Sequence, residues 1–222
     1  MTVRRARRRL LILGAGGFGR EILWTTSHIA PDARDWDVAG FLDDAPEAAE
    51  RLARYRTAVP VVGTIADHTP APDEVFACAV ARPATRLQVC AEVTARGGEF
   101  VPLIHPTALL HPDVRLGAGL IVRHWAGVSA DCVIGDHVVL DRGAGAGHDA
   151  VVGDGCFLGA QSEVMGGAHL ERGVFLAGHA VVLPGVRVGA FSTVGAGSVA
   201  IGRVRAEHTV FGVPARRLDF GQ

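Results

Sequence analysis

His148 and Asp149 sit side by side in Gly145-Ala146-Gly147-His148-Asp149-Ala150-Val151-Val152-Gly153, and the pair can do chemistry. An imidazole takes up a proton near neutral pH, and a carboxylate beside it stabilises the imidazolium that forms. Adjacency in sequence makes this contact available without guaranteeing it. A second candidate is Gly14-Ala15-Gly16-Gly17-Phe18-Gly19, which fits the pattern G-x-G-x-x-G. Such a turn lets backbone N–H groups approach a phosphate at a helix N-terminus. Phe41-Leu42-Asp43-Asp44 then offers two acids for a ribose or base, as in dinucleotide-binding domains. The alternative is a tight turn with capping acids and no ligand.

The elements that must carry these residues fall into two regimes. Residues 10 to 103 alternate in the α/β manner. An apolar strand at Leu10 to Leu13 leads through the glycine turn into a helix from Arg20 to Ile29. Strands are expected at Val38 to Leu42, Glu74 to Val80 and Glu99 to Leu103, with a helix from Arg86 to Arg96. Strand, turn, helix and strand at this spacing form a βαβ unit, so a parallel, Rossmann-like sheet is expected over residues 1–103.

From Ile104 every sixth residue is aliphatic. The run is Ile104, Leu110, Leu116, Val122, Val128, Ile134, Leu140, Ala146, Val152, Leu158, Val164, Leu170, Leu176, Val182, Val188 and Val194. Four residues after each stands a position that is Ala, Cys or Ser in eleven of these sixteen hexads. A large and a small side chain alternating per six residues suit the interior of a narrow triangular β-solenoid, three hexads to a coil. That spacing implies about five coils over residues 104–222 and a height of roughly 25 Å. Gly117, Gly135, Gly153, Gly189 and Gly195, directly after an aliphatic, are expected to make corners at positive φ.

The 222 residues suffice for one large domain or two modest ones. A formal net charge of −1 gives no global positive field of the kind that sequence-independent nucleic-acid binding needs. Arg4, Arg5, Arg7, Arg8 and Arg9 precede only four apolar residues, too few for a secretory leader, and read as a basic tail feeding the first strand. No stretch reaches the length of a membrane span, so no membrane insertion is expected. Cys78, Cys90, Cys132 and Cys156 form no C-x-x-C pair and read as small buried hydrophobes of a reducing compartment, the cytoplasm. No two of the ten histidines are five apart, the spacing a solenoid metal site of the γ-carbonic-anhydrase kind uses, so no metal is expected. His124, His137, His169 and His179 read as face or interface residues, and His105 and His111 as edge and cap residues.

Five blocks together resemble the bacterial sugar O- and N-acetyltransferases, typified by sialic acid O-acetyltransferases and by UDP-4-amino-sugar and perosamine N-acetyltransferases. They are Leu11 through Glu21, Gly40 through Asp44, Ile104 through Ala108, Gly147-His148-Asp149 and Phe211 through Arg216. The resemblance implies a left-handed parallel β-helix of hexapeptide repeats behind the Rossmann-like domain, a homotrimer, and active sites between subunits. It implies acetyl-CoA as co-substrate, His148 as general base and Asp149 as its orienting partner. It places a backbone N–H of Gly166 on the thioester oxygen and Gly178 and Ala196 near CoA. Gly14, Ala15, Gly16, Gly17, Asp43 and Asp44 would hold a nucleotide-linked sugar.

The implied reaction is direct transfer of acetyl to an amino group of a nucleotide-linked amino sugar. Alternatives are O-acetylation of a sugar hydroxyl such as that of sialic acid, and a non-catalytic solenoid that binds nucleotide-sugar. An NAD oxidoreductase would rest on the glycine motif alone and leave the solenoid without a use. Two positions depart from the family pattern: Phe157 stands where aminosugar members often have a second histidine, and Ala79-Val80-Ala81 replaces Ala-Ile-Gly. Determinants of the acceptor are expected in the loops between residues 43 and 75.

Overall fold

The computed structural model describes residues 7–55 and 57–218. By contacts the chain divides into two units, one of residues 1–80 with 88–101 and one of residues 81–87 with 102–222. The first is an α/β unit. Its strands β1 (Arg8–Leu13), β2 (Trp36–Leu42), β3 (Val61–Gly63) and β4 (Glu74–Cys78) form a parallel sheet in the order β3-β2-β1-β4. Helix α1 (Gly17–His28) follows β1, the short α2 (Ala48–Ala53) follows β2, and α3 (Pro83–Ala95) follows β4. Leu10 to Leu13 are wholly buried because a central parallel strand is covered on both faces.

Several expectations need correction. Arg8 and Arg9 are not a solvated tail but the first residues of β1, where Arg8 pairs with Asp35 and Glu99 and Arg9 with the buried Glu74. Arg4 and Arg5 lie outside the described residues. The strand expected at Glu99 to Leu103 is reduced to a single bridge between Phe76 and Phe100, and Leu103 already pairs with Ile121 in the solenoid. The polar stretch after Asp44 holds α2 and β3, whose three residues are too few to show a period.

The second unit is a left-handed parallel β-helix of two-residue strands on three faces. The first face stacks seven parallel strands from Leu103–Ile104 to Thr209–Phe211, with Arg216–Arg217 added antiparallel at its end. The second face runs from Leu109–Leu110 to Val199–Ala200, and the third from Arg115–Leu116 to Arg187–Val188. The stack thus extends beyond the run of sixteen aliphatics, since Val199–Ala200 and Thr209–Phe211 continue two of the faces. The aliphatics and the small residues four later make one continuous buried core, from Leu120 to Val210.

Positive φ does not fall on the glycines that follow each aliphatic. It falls two residues further on, at fourteen successive hexads from Gly119 to Gly197, with φ between 53° and 71°. Half of these are not glycine, among them Trp125, Asp149 and Phe191, so the coil geometry overrides the residue preference there. The glycines directly after the aliphatics have a different cause. A Cβ at Gly153 would lie 2.8 Å from Arg172 N and 2.9 Å from Glu171 C, so it is the backbone of the next coil that demands glycine.

Candidate active site

His148 and Asp149 stand at the corner between the second and third faces, after the strand Gly145–Ala146. In an extended strand neighbouring side chains point to opposite sides. Asp149 has φ of 60°, and this left-handed turn breaks the alternation. His148 Nδ1 consequently lies 2.8 Å from Asp149 Oδ2. The carboxylate accepts, so Nδ1 carries the proton and Nε2 keeps its lone pair. Both side chains are largely exposed, at 73% and 65%.

Gly166 occupies the equivalent corner of the next coil, eighteen residues on. A Cβ there would lie 2.6 Å from His148 Nε2 and 2.7 Å from Cε1, so the imidazole lies directly against the glycine. Its carbonyl accepts from Gly185 N at 3.1 Å, and Gly167 N donates to His148 O at 2.8 Å. The Gly166 N–H itself has no hydrogen-bond partner among the described residues. The same holds for the N–H groups of Gly178 and Ala196, which occupy the same place in their hexads. The inter-coil backbone ladder does not use this amide; at other corners an acid side chain takes it, as Asp136 does for Ala118 N and Glu171 for Ala190 N, whereas at Gly166, Gly178 and Ala196 no such acceptor is present among the described residues. Gly178 and Ala196 stack on one another at a different corner, between the first and second faces. The fold therefore brings His148, Asp149 and Gly166 together and holds Gly178 and Ala196 apart from them within one chain.

Phe157 faces outward from the first face and is 7% exposed. It stacks on Phe175 at 5.2 Å, beneath the guanidinium of Arg86. Arg86 is itself buried, and its donors reach Ala81 O at 2.8 Å, His137 O at 2.9 Å, Gly155 O at 2.5 Å and Cys156 O at 3.1 Å. Burial raises the Cys132 thiol and pushes that of Cys156 up to about 12, so neither is a thiolate at neutral pH.

In the α/β unit Gly14 has φ of 99° and its N–H donates to Leu42 O at 2.8 Å. Gly16 caps α1 and Gly17 opens it. A Cβ at Gly16 would meet nothing within 4 Å, and one at Gly17 only the Arg20 guanidinium at 3.8 Å. No acid occupies the first turn of α1, whose N-terminus is the end of the helix dipole that favours an anion. Asp43 is more committed than its sequence position implies. Its carboxylate accepts from Ala15 N at 2.7 Å, Ala45 N at 2.9 Å and Arg51 at 3.3 Å, and so ties the glycine turn to the end of β2. Asp44 Oδ1 accepts from Ile65 N at 2.7 Å and Ala66 N at 3.0 Å.

Sequence reasoning passed over Trp125 and Glu163, which line a cavity of about 670 Å³ on the second face. A signal existed at eighteen-residue spacing, since the outward positions read Leu109, Gly127, Gly145 and Glu163. A second cavity of about 370 Å³, at the last coil, is lined by Arg203, Arg205, His208, Arg216 and Arg217. Among the described residues no group of three or more His, Cys, Asp and Glu could hold a metal ion, and no helix is long and apolar enough to cross a membrane.

Residues 9–93 match the PglD N-terminal domain, and residues 131–166 match the bacterial transferase hexapeptide of six repeats. No curated protein matches the chain by sequence. Among solved structures, PerB from Caulobacter crescentus in complex with CoA and GDP-perosamine is 28% identical, with a TM-score of 0.82 over 95% of this chain and 97% of that one. A perosamine N-acetyltransferase from the same organism with one histidine changed to asparagine, also with CoA and GDP-perosamine, is 29% identical, with a TM-score of 0.84 over 95% and 96%. The acetyltransferase domain of PglB from Neisseria gonorrhoeae, in complex with acetyl coenzyme A, is 26% identical, with a TM-score of 0.83 over 96% and 100%.

Fold and site together define a hexapeptide-repeat transferase. The α/β unit narrows the likeness: the chain joins a PglD-type N-terminal domain to bacterial transferase hexapeptide repeats, and over nearly its whole length it is similar to the solved acetyltransferases from Caulobacter crescentus and Neisseria gonorrhoeae.

Proposed function

We propose that the chain transfers acetyl from acetyl-CoA to an amino group of a nucleotide-linked amino sugar, with His148 as general base. The observation that carries this is the corner itself. Asp149 fixes the protonated Nδ1 of His148, Nε2 is left as the acceptor, and the Gly166 N–H beside it is an unused donor. His148 Nε2 takes the proton of the attacking amine while the Gly166 amide faces the thioester oxygen, where negative charge develops. The amide bond forms as the carbon–sulfur bond breaks, and His148 returns its proton to the departing sulfur. Both buried solenoid thiols are raised by burial, in keeping with direct transfer without a covalent acyl-enzyme.

The N-terminus of α1, with no acid in its first turn, and the glycine turn suit the phosphates of the nucleotide, and Asp44 at the end of β2 is the acid for its ribose or base. The arginines around the last coil suit the phosphates of CoA. The base and the Gly178–Ala196 column stand at different corners, an arrangement that a donor lying between two copies would use, so the working form in this reading is a homotrimer. Four free, buried cysteines accord with the cytoplasm.

The test is thiol release from acetyl-CoA against GDP-, UDP- and dTDP-linked 4-amino sugars, with sialic acid and neutral sugars alongside. Turnover with an amino sugar, lowered about 10²- to 10⁴-fold in His148→Ala, is expected. Nucleotide-sugar binding without thiol release from any acceptor would overturn the reading.

A further inference from the structure

The second face of the solenoid carries a groove whose shape follows from four side chains. At the outward position of successive coils stand Leu109, Gly127, Gly145 and Glu163, paired directly in register. Two consecutive glycines leave a depression, closed at one end by Leu109 and at the other by Glu163, with Trp125 along its rim. Trp125 is 73% exposed although its φ of 61° is one a bulky residue seldom adopts. The groove reaches the same corner one coil before the base, at Ser129 and Ala130, and Ala130 O accepts from Asp149 N at 3.0 Å.

Glu163 is the unusual group. Its carboxylate lies over Gly145, where any Cβ would collide with it, and it is only part exposed. Among the described residues it has neither a hydrogen bond nor an ion pair, and burial holds its carboxyl above the ordinary value. A half-buried carboxylate with no partner is unfavourable for the fold and is satisfied by a donor from outside.

We propose that this groove is the acceptor-sugar subsite and that Glu163 selects amines. The inference deepens the acetyltransferase reading and rests on it. A carboxylate accepts hydrogen bonds and repels other anions. The ligand it fits is therefore an amino sugar whose N–H groups point at Glu163, not an acidic sugar such as sialic acid. The indole of Trp125 covers the apolar C–H face of the ring, as flat aromatic side chains do at sites that need one apolar and one wet side. Glu163 receives one N–H of the amine, which leaves the second N–H for His148 Nε2 and the nitrogen lone pair for the thioester carbon whose oxygen faces the Gly166 amide.

Two variants test this in the full-length protein. Glu163→Gln keeps the shape and removes the charge. Gly127→Val fills the floor, and it is sterically permitted because the nearest atom to a Cβ there is Leu109 O at 4.0 Å. The readouts are calorimetric titration of a nucleotide-linked 4-amino sugar, KM for each substrate, and oligomeric mass. The expected result in both variants is acceptor binding and acceptor KM weakened about tenfold or more, with the KM for acetyl-CoA and the mass unchanged. Glu163→Gln is also expected to narrow the preference for amines over hydroxyls. Acceptor affinity within threefold of wild type would overturn the proposal, as would a changed mass at unchanged affinity, which would make the groove a packing surface between copies. If wild type binds the amino sugar and loses affinity in Glu163→Gln but releases no thiol, the subsite stands and the acetyltransferase reading fails.

Discussion

Gly166→Ala probes the corner most directly, because it adds one methyl group where the imidazole already lies. The new carbon would sit 2.6 Å from His148 Nε2 and 2.7 Å from Cε1, whereas ordinary contact begins at 3.4 Å, so the ring must retreat by roughly 0.8 Å. The His148 side chain is 73% exposed and free to swing outward, so the change in stability is small, less than about 0.5 kcal/mol. The catalytic consequence is large. A misplacement of about 1 Å costs on the order of 10²-fold, or roughly 2.7 kcal/mol of barrier. The expected outcome is kcat lowered about 10²-fold, the acceptor KM little changed, and a melting temperature within about two degrees of wild type. Thiol release under saturating substrates and a thermal melt measure both. A variant that keeps more than a third of wild-type kcat would refute the placement of the base, and one that melts many degrees lower would show the glycine to be a packing requirement instead.

Three further outcomes follow from the same geometry. Arg86→Met leaves four carbonyls without the guanidinium that now serves them, and the solenoid transition is expected to fall by about 10 °C for a loss of about 3–5 kcal/mol; a melt unchanged within two degrees would contradict that role. Gly153→Ala drives a methyl into Arg172 N and Glu171 C, backbone atoms that cannot rotate away, and should lower stability by about 1–3 kcal/mol in a denaturant titration. Glu163→Gln is expected to raise the melting temperature at pH 7. Burial raises the carboxyl of Glu163, so its protonated form favours the native state, and that advantage is lost as pH rises through the raised value. The gap between variant and wild type should therefore close as pH falls below the ordinary 4.5, and a gap that widens in acid would contradict the sign.

The six-residue period determined the solenoid, its axial residues and its faces, because a side chain inside a narrow prism must recur whenever the chain returns to the same place. The pairing of His148 with Asp149 was legible as a possibility, and the glycine turn before α1 was legible from its local chemistry. Other features depend on backbone conformation and on neighbours in space that the period does not fix. The left-handed φ of Asp149 puts its carboxylate on His148, and the backbone of the neighbouring coil explains Gly153. Asp43 spends its oxygens on Ala15, Ala45 and Arg51, which no motif announces. Glu163 read in sequence is one polar residue in a strand. Only stacking over Gly145 and Gly127 makes it an unpaired carboxylate at the end of a groove, because burial and partners are properties of neighbours in space and the period fixes no side chain outside the core.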